Sequence, residues 1–161
     1  GQVGFKIGAR QLFWLTRSGL LSRFRGVRIV NSRRRDKISQ AISLTIALQT
    51  GVWHTKMENG QPAGSVDYSR DEILRNLQTI RTAQQLLDYY VDIHRVPRLA
   101  VDYEDTLEDP DRELRRVAEF LDYPLGAGVQ IDPSAVGISQ QRNADNERLY
   151  EQFSREFFGL A

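Results

Sequence analysis

The sequence predicts an α/β domain, with a mainly parallel sheet flanked by helices, on three observations. Short apolar runs suited to strands alternate with longer segments of helical period. The helical segments open on cap residues, Asp36, Ser69 and Asp109. Gly51 and Pro124 punctuate where the periodic patterns stop. A chain of 161 residues suits one domain spanning 1–161, large enough to bury roughly two-thirds of its unfolded surface without staples.

Each element can be justified in order. Val3, Phe5 and Ile7 alternate with smaller or polar residues, which is the period of a strand, so residues 1–7 are expected to be one. A chain that opens on a core strand is expected to have further sequence upstream. A second strand is expected at 27–30. After Asp36 as amino cap, a helix runs through Ala41 and Leu48 to Gly51. Residues 54–65, with Asn59, Gly60, Pro62 and Gly64, form a polar loop, longer than most connections, that suits either a binding loop or a tolerated insertion. Ser69 and Glu72 then make a capping box for a long helix whose Ile73, Leu77, Ile80, Leu87 and Val91 recur at helical spacing. A third strand is expected at 99–103, just after Pro97. Asp109-Pro110 opens a short helix carrying Leu114, Val117, Ala118 and Leu121. A loop with Gly126, Gly128, Pro133 and Gly137 leads to a closing helix with Leu149, Phe153 and Phe157 on one face.

Composition narrows the function classes. The absence of cysteine removes disulfides, thiol catalysis and thiolate zinc sites, and fits a reducing compartment, so the cytoplasm is the default location. No metal is expected. A formal charge of +1 gives no global field for nucleic acid or a membrane. Arg23, Arg25, Arg28 and Arg33, Arg34 and Arg35 do form a local basic cluster, but no aromatic-and-basic surface pattern accompanies it, so nucleic acid is not the expected partner. The apolar runs are too short to span a bilayer.

The segment with the most chemical content is Arg28-Ile29-Val30-Asn31-Ser32-Arg33-Arg34-Arg35-Asp36 and the helix after it. Stepping that helix at about 100° per residue places Ser39, Gln40 and Ser43 near Asp36, and Ile38, Ala41, Ile42 and Leu48 on the far side. A narrow polar stripe thus rises from a strand end, where open α/β sheets bind ligands. An arginine fork, free amides at the helix start and a serine hydroxyl make a cradle for a phosphate. The bland alternative is three solvated arginines and two serines facing water.

The residues Arg34-Arg35-Asp36-Lys37, Gln40-Ala41-Ile42-Ser43 and Gln49-Thr50-Gly51-Val52-Trp53 resemble the trehalose sulfotransferase-like family of bacterial carbohydrate sulfotransferases, which use the donor 3′-phosphoadenosine 5′-phosphosulfate. The likeness continues through Gly4-Phe5-Lys6-Ile7, Tyr103-Glu104-Asp105, Asp109-Pro110 and Gln141-Arg142-Asn143-Ala144-Asp145. It implies a P-loop-like sulfotransferase fold in which the 5′-phosphosulfate sits on an amino-terminal strand, a loop rich in Ser, Gly and Thr, and a helix start. This chain is expected to begin after that element.

The resemblance implies that the arginine at the strand end and Ser43 bind the donor's 3′-phosphate. Arg35, eight positions before Ser43, is the first choice and Arg34 the alternative. By the same likeness Arg142 closes over the nucleotide. Gln49 and Trp53 are candidates for the acceptor side, although a tryptophan near a helix end more often packs in the core. Thr16-Arg17-Ser18-Gly19-Leu20-Leu21 imitates a phosphosulfate loop, but only seven residues separate Gly19 from Val27, too few for a parallel crossover. No general base follows from the sequence, and neither His54 nor His94 takes that role from position alone. The expected activity is sulfuryl transfer to a hydroxyl of a carbohydrate or related metabolite. The alternative is a noncatalytic nucleotide-binding or interaction module derived from such an enzyme. The apolar residues near the closing helix suit either a homodimer or a capped core.

Overall fold

The computed structural model describes residues 1–53, 66–126, 128–131 and 144–159. It is an α/β structure with a small parallel two-stranded sheet flanked by helices. Helix α1 (Ala9–Arg17) and a 3-10 turn (Leu21–Arg23) precede strand β1 (Ile29–Arg33), and helix α2 (Lys37–Thr50) follows it. Helix α3 (Arg70–His94) returns the chain to strand β2 (Arg98–Asp102), which runs without a loop into α4 (Tyr103–Glu108). Helices α5 (Pro110–Phe120) and α6 (Ala144–Phe158) complete the described chain.

The caps act as the residue types dictate. Asp36 accepts from the Ser39 amide, Ser69 from Glu72 and Asp109 from Arg112, each satisfying an otherwise unpaired amide of a first turn. At the far end of α2 the chain turns through Gly51 at φ 72°, a left-handed conformation that suits a residue without a Cβ.

β1 and β2 pair in parallel, Ile29 opposite Arg98 and Arg33 opposite Asp102. The main hydrophobic cluster lies among the helices: Ala41 and Ile42 of α2, Ile73 of α3, and Leu149 and Phe153 of α6, closed by Val66. Its tightness follows from the apolar faces of three amphipathic helices meeting, with Leu149 and Phe153 one turn apart.

Four expectations change. Residues 1–7 are not a strand: no backbone ladder reaches them, and Val3, Phe5 and Ile7 are exposed. Alternation alone does not make a strand without a partner edge; this segment is held by side chains, with Gln2 donating to the Leu121 carbonyl and Phe5 edge-on to Phe24. β1 starts and ends later than 27–30 because its polar end, Asn31 to Arg33, pairs with β2. Tyr103 begins α4 instead of ending the third strand. Leu48 is exposed, and the buried face of α2 is completed by Thr45 and Ala47; Thr45 satisfies its hydroxyl on the Ala41 carbonyl and the Asn76 amide. The expected loop at 54–65, with His54, lies outside the described residues. Among the described residues no helix is long and apolar enough to cross a membrane.

Candidate functional site

The carboxyl ends of two parallel strands lie side by side and each leads into a helix, so residues 33–36 face residues 102–105. Arg33 makes a two-pronged contact with Asp102, Nε at 2.6 Å and Nη2 at 3.0 Å. The fork matches the carboxylate geometry. The paired guanidinium holds the Asp102 carboxyl below its ordinary range, and its own proton is held more tightly in return. Arg35 turns to the same side, with Nη1 2.7 Å from Asp105. Glu104 accepts the backbone N–H groups of Arg35, at 3.0 and 3.1 Å, and of Asp36, at 3.3 Å. Burial pushes the Glu104 carboxyl up, but these amides, its own amide and the Arg35 charge outweigh it and hold the group below the ordinary value.

Arg34 goes the other way. Its guanidinium lies over the Tyr103 ring, 4.9 Å from the centroid, and its Nη1 is 3.5 Å from Ser43 Oγ. Arg33 and Arg35 pair with carboxylates, whereas Arg34 has no ion pair among the described residues. Three arginines consecutive in sequence are therefore sorted into two ion-paired cations and one without an acidic partner among the described residues.

Ser43 accepts from Arg34 and donates to Asn146 Oδ1 at 3.1 Å, which ties α2 to the first turn of α6. Beside them opens a concavity of about 350 Å³, walled by Arg34, Asp36, Ser39, Asn146, Glu147, Tyr150 and Glu151. Its volume is within the range of small-molecule sites. Asp36, Glu147 and Glu151 give most of this wall a negative charge, so it favours an anion only at the Arg34 end and hydrogen-bond donors elsewhere. Gln40, on the same stripe, keeps Oε1 buried without a donor among the described residues.

The expected set of free amides at the start of α2 is corrected by this geometry. The Ser39 amide and hydroxyl go to Asp36, and the turn amides at Arg35 and Asp36 go to Glu104. Acidic side chains adjacent in the fold have taken these donors, and the Lys37 and Ile38 amides are the ones left without a partner among the described residues.

Of the sequence candidates, Arg34 lines the concavity and Ser43 lies behind that wall, bonded to Arg34 and Asn146, while Arg35 faces Asp105 on the α4 side. Arg142 lies outside the described residues. Gln49 is further along α2, bonded to the Asp67 carbonyl and amide and to Glu72. It borders a separate hollow of about 260 Å³ with Thr45, Leu48, Glu72, Arg75 and Asn76. Trp53 is exposed, not packed in the core. His94 is exposed and packs at a tilt against the Tyr90 ring, 4.5 Å between centroids. Among the described residues no cluster of acids and histidines could hold a metal ion.

Sequence reasoning missed Asn146 and Tyr150 as walls, and Tyr103 and Glu104 as supports. The signal for the latter pair was present, because Tyr103-Glu104-Asp105 follows a strand parallel to the one that ends in the arginines.

Comparison with protein-family models matches residues 16–152 to Stf0 sulphotransferase. A search of curated proteins gives no match. The matched span takes in both strand ends, all of α2, and the part of α6 that walls the concavity. A match over most of the length, on an α/β structure whose strand ends carry the charged residues, leaves one conclusion: the chain belongs to the Stf0 sulphotransferase family, whose chemistry is sulfuryl transfer.

Proposed function

We propose that this domain serves transfer of a sulfuryl group from 3′-phosphoadenosine 5′-phosphosulfate to a hydroxyl of a small acceptor, a carbohydrate or a related metabolite. The observation that carries this reading is Arg34, without an ion pair among the described residues, lining the concavity and lying beside Ser43. A phosphate oxygen between the guanidinium and the hydroxyl would accept from both, and charge-assisted bonds of this kind are the strong ones. With a single cation among three acids, the described wall suits one phosphate. The carboxylates suit the other groups of a nucleotide, accepting from ribose hydroxyls and an exocyclic amine.

This assigns the 3′-phosphate to Arg34 and Ser43, and gives Arg35 the task of holding the turn. Arg142 is proposed, from the family likeness, to close over the nucleotide. Gln49 and Trp53 are proposed for the acceptor side; Gln49 borders a hollow whose Glu72, Arg75 and Asn76 suit a polyol. Sulfuryl transfer itself needs an in-line hydroxyl, a base for its proton and positive charge near the moving oxygens. The 3′-phosphate contact contributes binding and orientation.

Calorimetric titration with adenosine 3′,5′-bisphosphate and with adenosine 5′-monophosphate tests the assignment. The expected result is a preference for the bisphosphate that Arg34→Gln reduces by about 10- to 100-fold, the worth of a charge-assisted phosphate contact. Equal affinity for the two nucleotides in the unaltered protein would remove the reading.

A further inference from the structure

Arginine side chains lose much rotamer freedom when a ligand fixes them, so an arginine oriented beforehand binds more tightly than one recruited from solvent. Arg34 has two obvious ways to be lost to a ligand, by waving free or by folding back onto an acid. The segment 102–105 closes the first, and closes the second on the α4 side. Tyr103 offers a ring face to the guanidinium at 4.9 Å. The acids on either side are already engaged: Asp102 by Arg33, Glu104 by the amides of Arg35 and Asp36, and Asp105 by Arg35. Arg33 with Asp102, Arg34 with Tyr103 and the Arg35 amide with Glu104 follow the register of the parallel pair, while Arg35 with Asp105 and the Asp36 amide with Glu104 reach one position across it.

We infer that Tyr103 and Glu104 are positioning residues for phosphate binding: Tyr103 holds the Arg34 guanidinium toward Ser43, and Glu104 fixes the turn from which Arg34 projects. The inference rests on the reading of Arg34 and Ser43 as the 3′-phosphate contact. Neither residue lines the concavity, and both act through Arg34. Their signature is selective. They strengthen binding of a nucleotide that carries the 3′-phosphate and leave one that lacks it unchanged.

The experiment titrates adenosine 3′,5′-bisphosphate and adenosine 5′-monophosphate against the unaltered chain and against Tyr103→Leu, Tyr103→Phe, Glu104→Gln, Arg34→Gln and the Arg34→Gln/Tyr103→Leu double variant. A cation–π contact at a part-exposed site corresponds to about a two- to fivefold change in affinity. Tyr103→Leu is therefore expected to weaken the bisphosphate by that factor and to leave the monophosphate unmoved, while Tyr103→Phe, which keeps the ring face, is expected to weaken it less than Tyr103→Leu does. In the Arg34→Gln background, Tyr103→Leu is expected to add nothing, since the two act as one unit. Glu104→Gln is expected to lower bisphosphate affinity alone, and it decides the matter should Tyr103→Leu fail to fold. Equal weakening of both nucleotides, an unchanged preference in Tyr103→Leu and Glu104→Gln, or a full additional loss in the double variant would overturn the inference. If the unaltered chain shows no preference, the donor reading fails. If Arg34→Gln abolishes the preference while both supporting variants keep it, only the positioning role fails.

Discussion

Replacing Leu149 by alanine tests how α6, and with it one wall of the concavity, is held. Leu149 is fully buried, at 0% exposure, in a cluster with Ile42 and Ile73, also at 0%, and Phe153 at 1%. Deleting a buried leucine side chain costs the lost transfer energy plus a cavity that the surroundings fail to fill, about 2.7–5 kcal/mol in all. Neighbours on three helices restrict collapse, whereas the open concavity beside Tyr150 and Glu151 permits some relaxation, so about 3 kcal/mol is expected. For a domain of this size that corresponds to a fall of about 6–12 °C in melting temperature. The matched control is Glu151→Ala, two positions along the same helix and exposed, expected to change stability by less than about 0.5 kcal/mol. Urea and thermal unfolding followed by circular dichroism measure both. A Leu149→Ala loss below about 1 kcal/mol, or one equal to that of Glu151→Ala, would show that α6 does not dock through this face.

Two pH-dependent outcomes follow from ion pairs and hydrogen bonds described above. The Asp102 carboxyl is held low in the folded state by Arg33, so its contribution is present above the unfolded value, about 3.9, and is lost as pH falls through the folded one. Asp102→Asn is expected to cost about 1–2 kcal/mol near neutrality, allowing for screening of the half-exposed guanidinium, and to flatten the acid limb of a stability-versus-pH curve; an unchanged acid limb would contradict this. The Tyr68 phenol is pushed up to about 12 by burial and by its hydrogen bond to Glu156. Its contribution is therefore present below about pH 10 and lost as pH rises through the folded value. Ultraviolet titration should show one late-ionising tyrosine that disappears in Tyr68→Phe.

The sequence made the helices legible because their ends are chemical events. Asp36, Ser69, Asp109-Pro110 and Gly51 each satisfy a backbone group or a dihedral that the residue type alone dictates. The strands were harder. Alternation at Val3, Phe5 and Ile7 is a local signal, while a strand is defined by a neighbour that the local signal does not contain. The polar end of β1 escaped for the converse reason: Arg33 is paired by Asp102, distant in sequence. The choice between Arg34 and Arg35 failed to resolve on spacing because the chain leaves a strand before it enters a helix, so helical angles do not extend back across Asp36. What separates the two arginines is the set of acids on α4, a tertiary fact. The same acids took the turn amides, which no reading of 28–43 alone reveals.

The direct passage from β2 into α4 at Asp102 has a consequence for how this segment tolerates change. Four consecutive residues engage four others across the strand ends, each within one position of the strand register. Substitutions here alter single contacts, but one inserted or deleted residue would slide every pairing at once and turn the aromatic face away from its cation. The stretch can therefore drift in composition far more readily than in length, and natural variation in loop size should fall elsewhere in the chain.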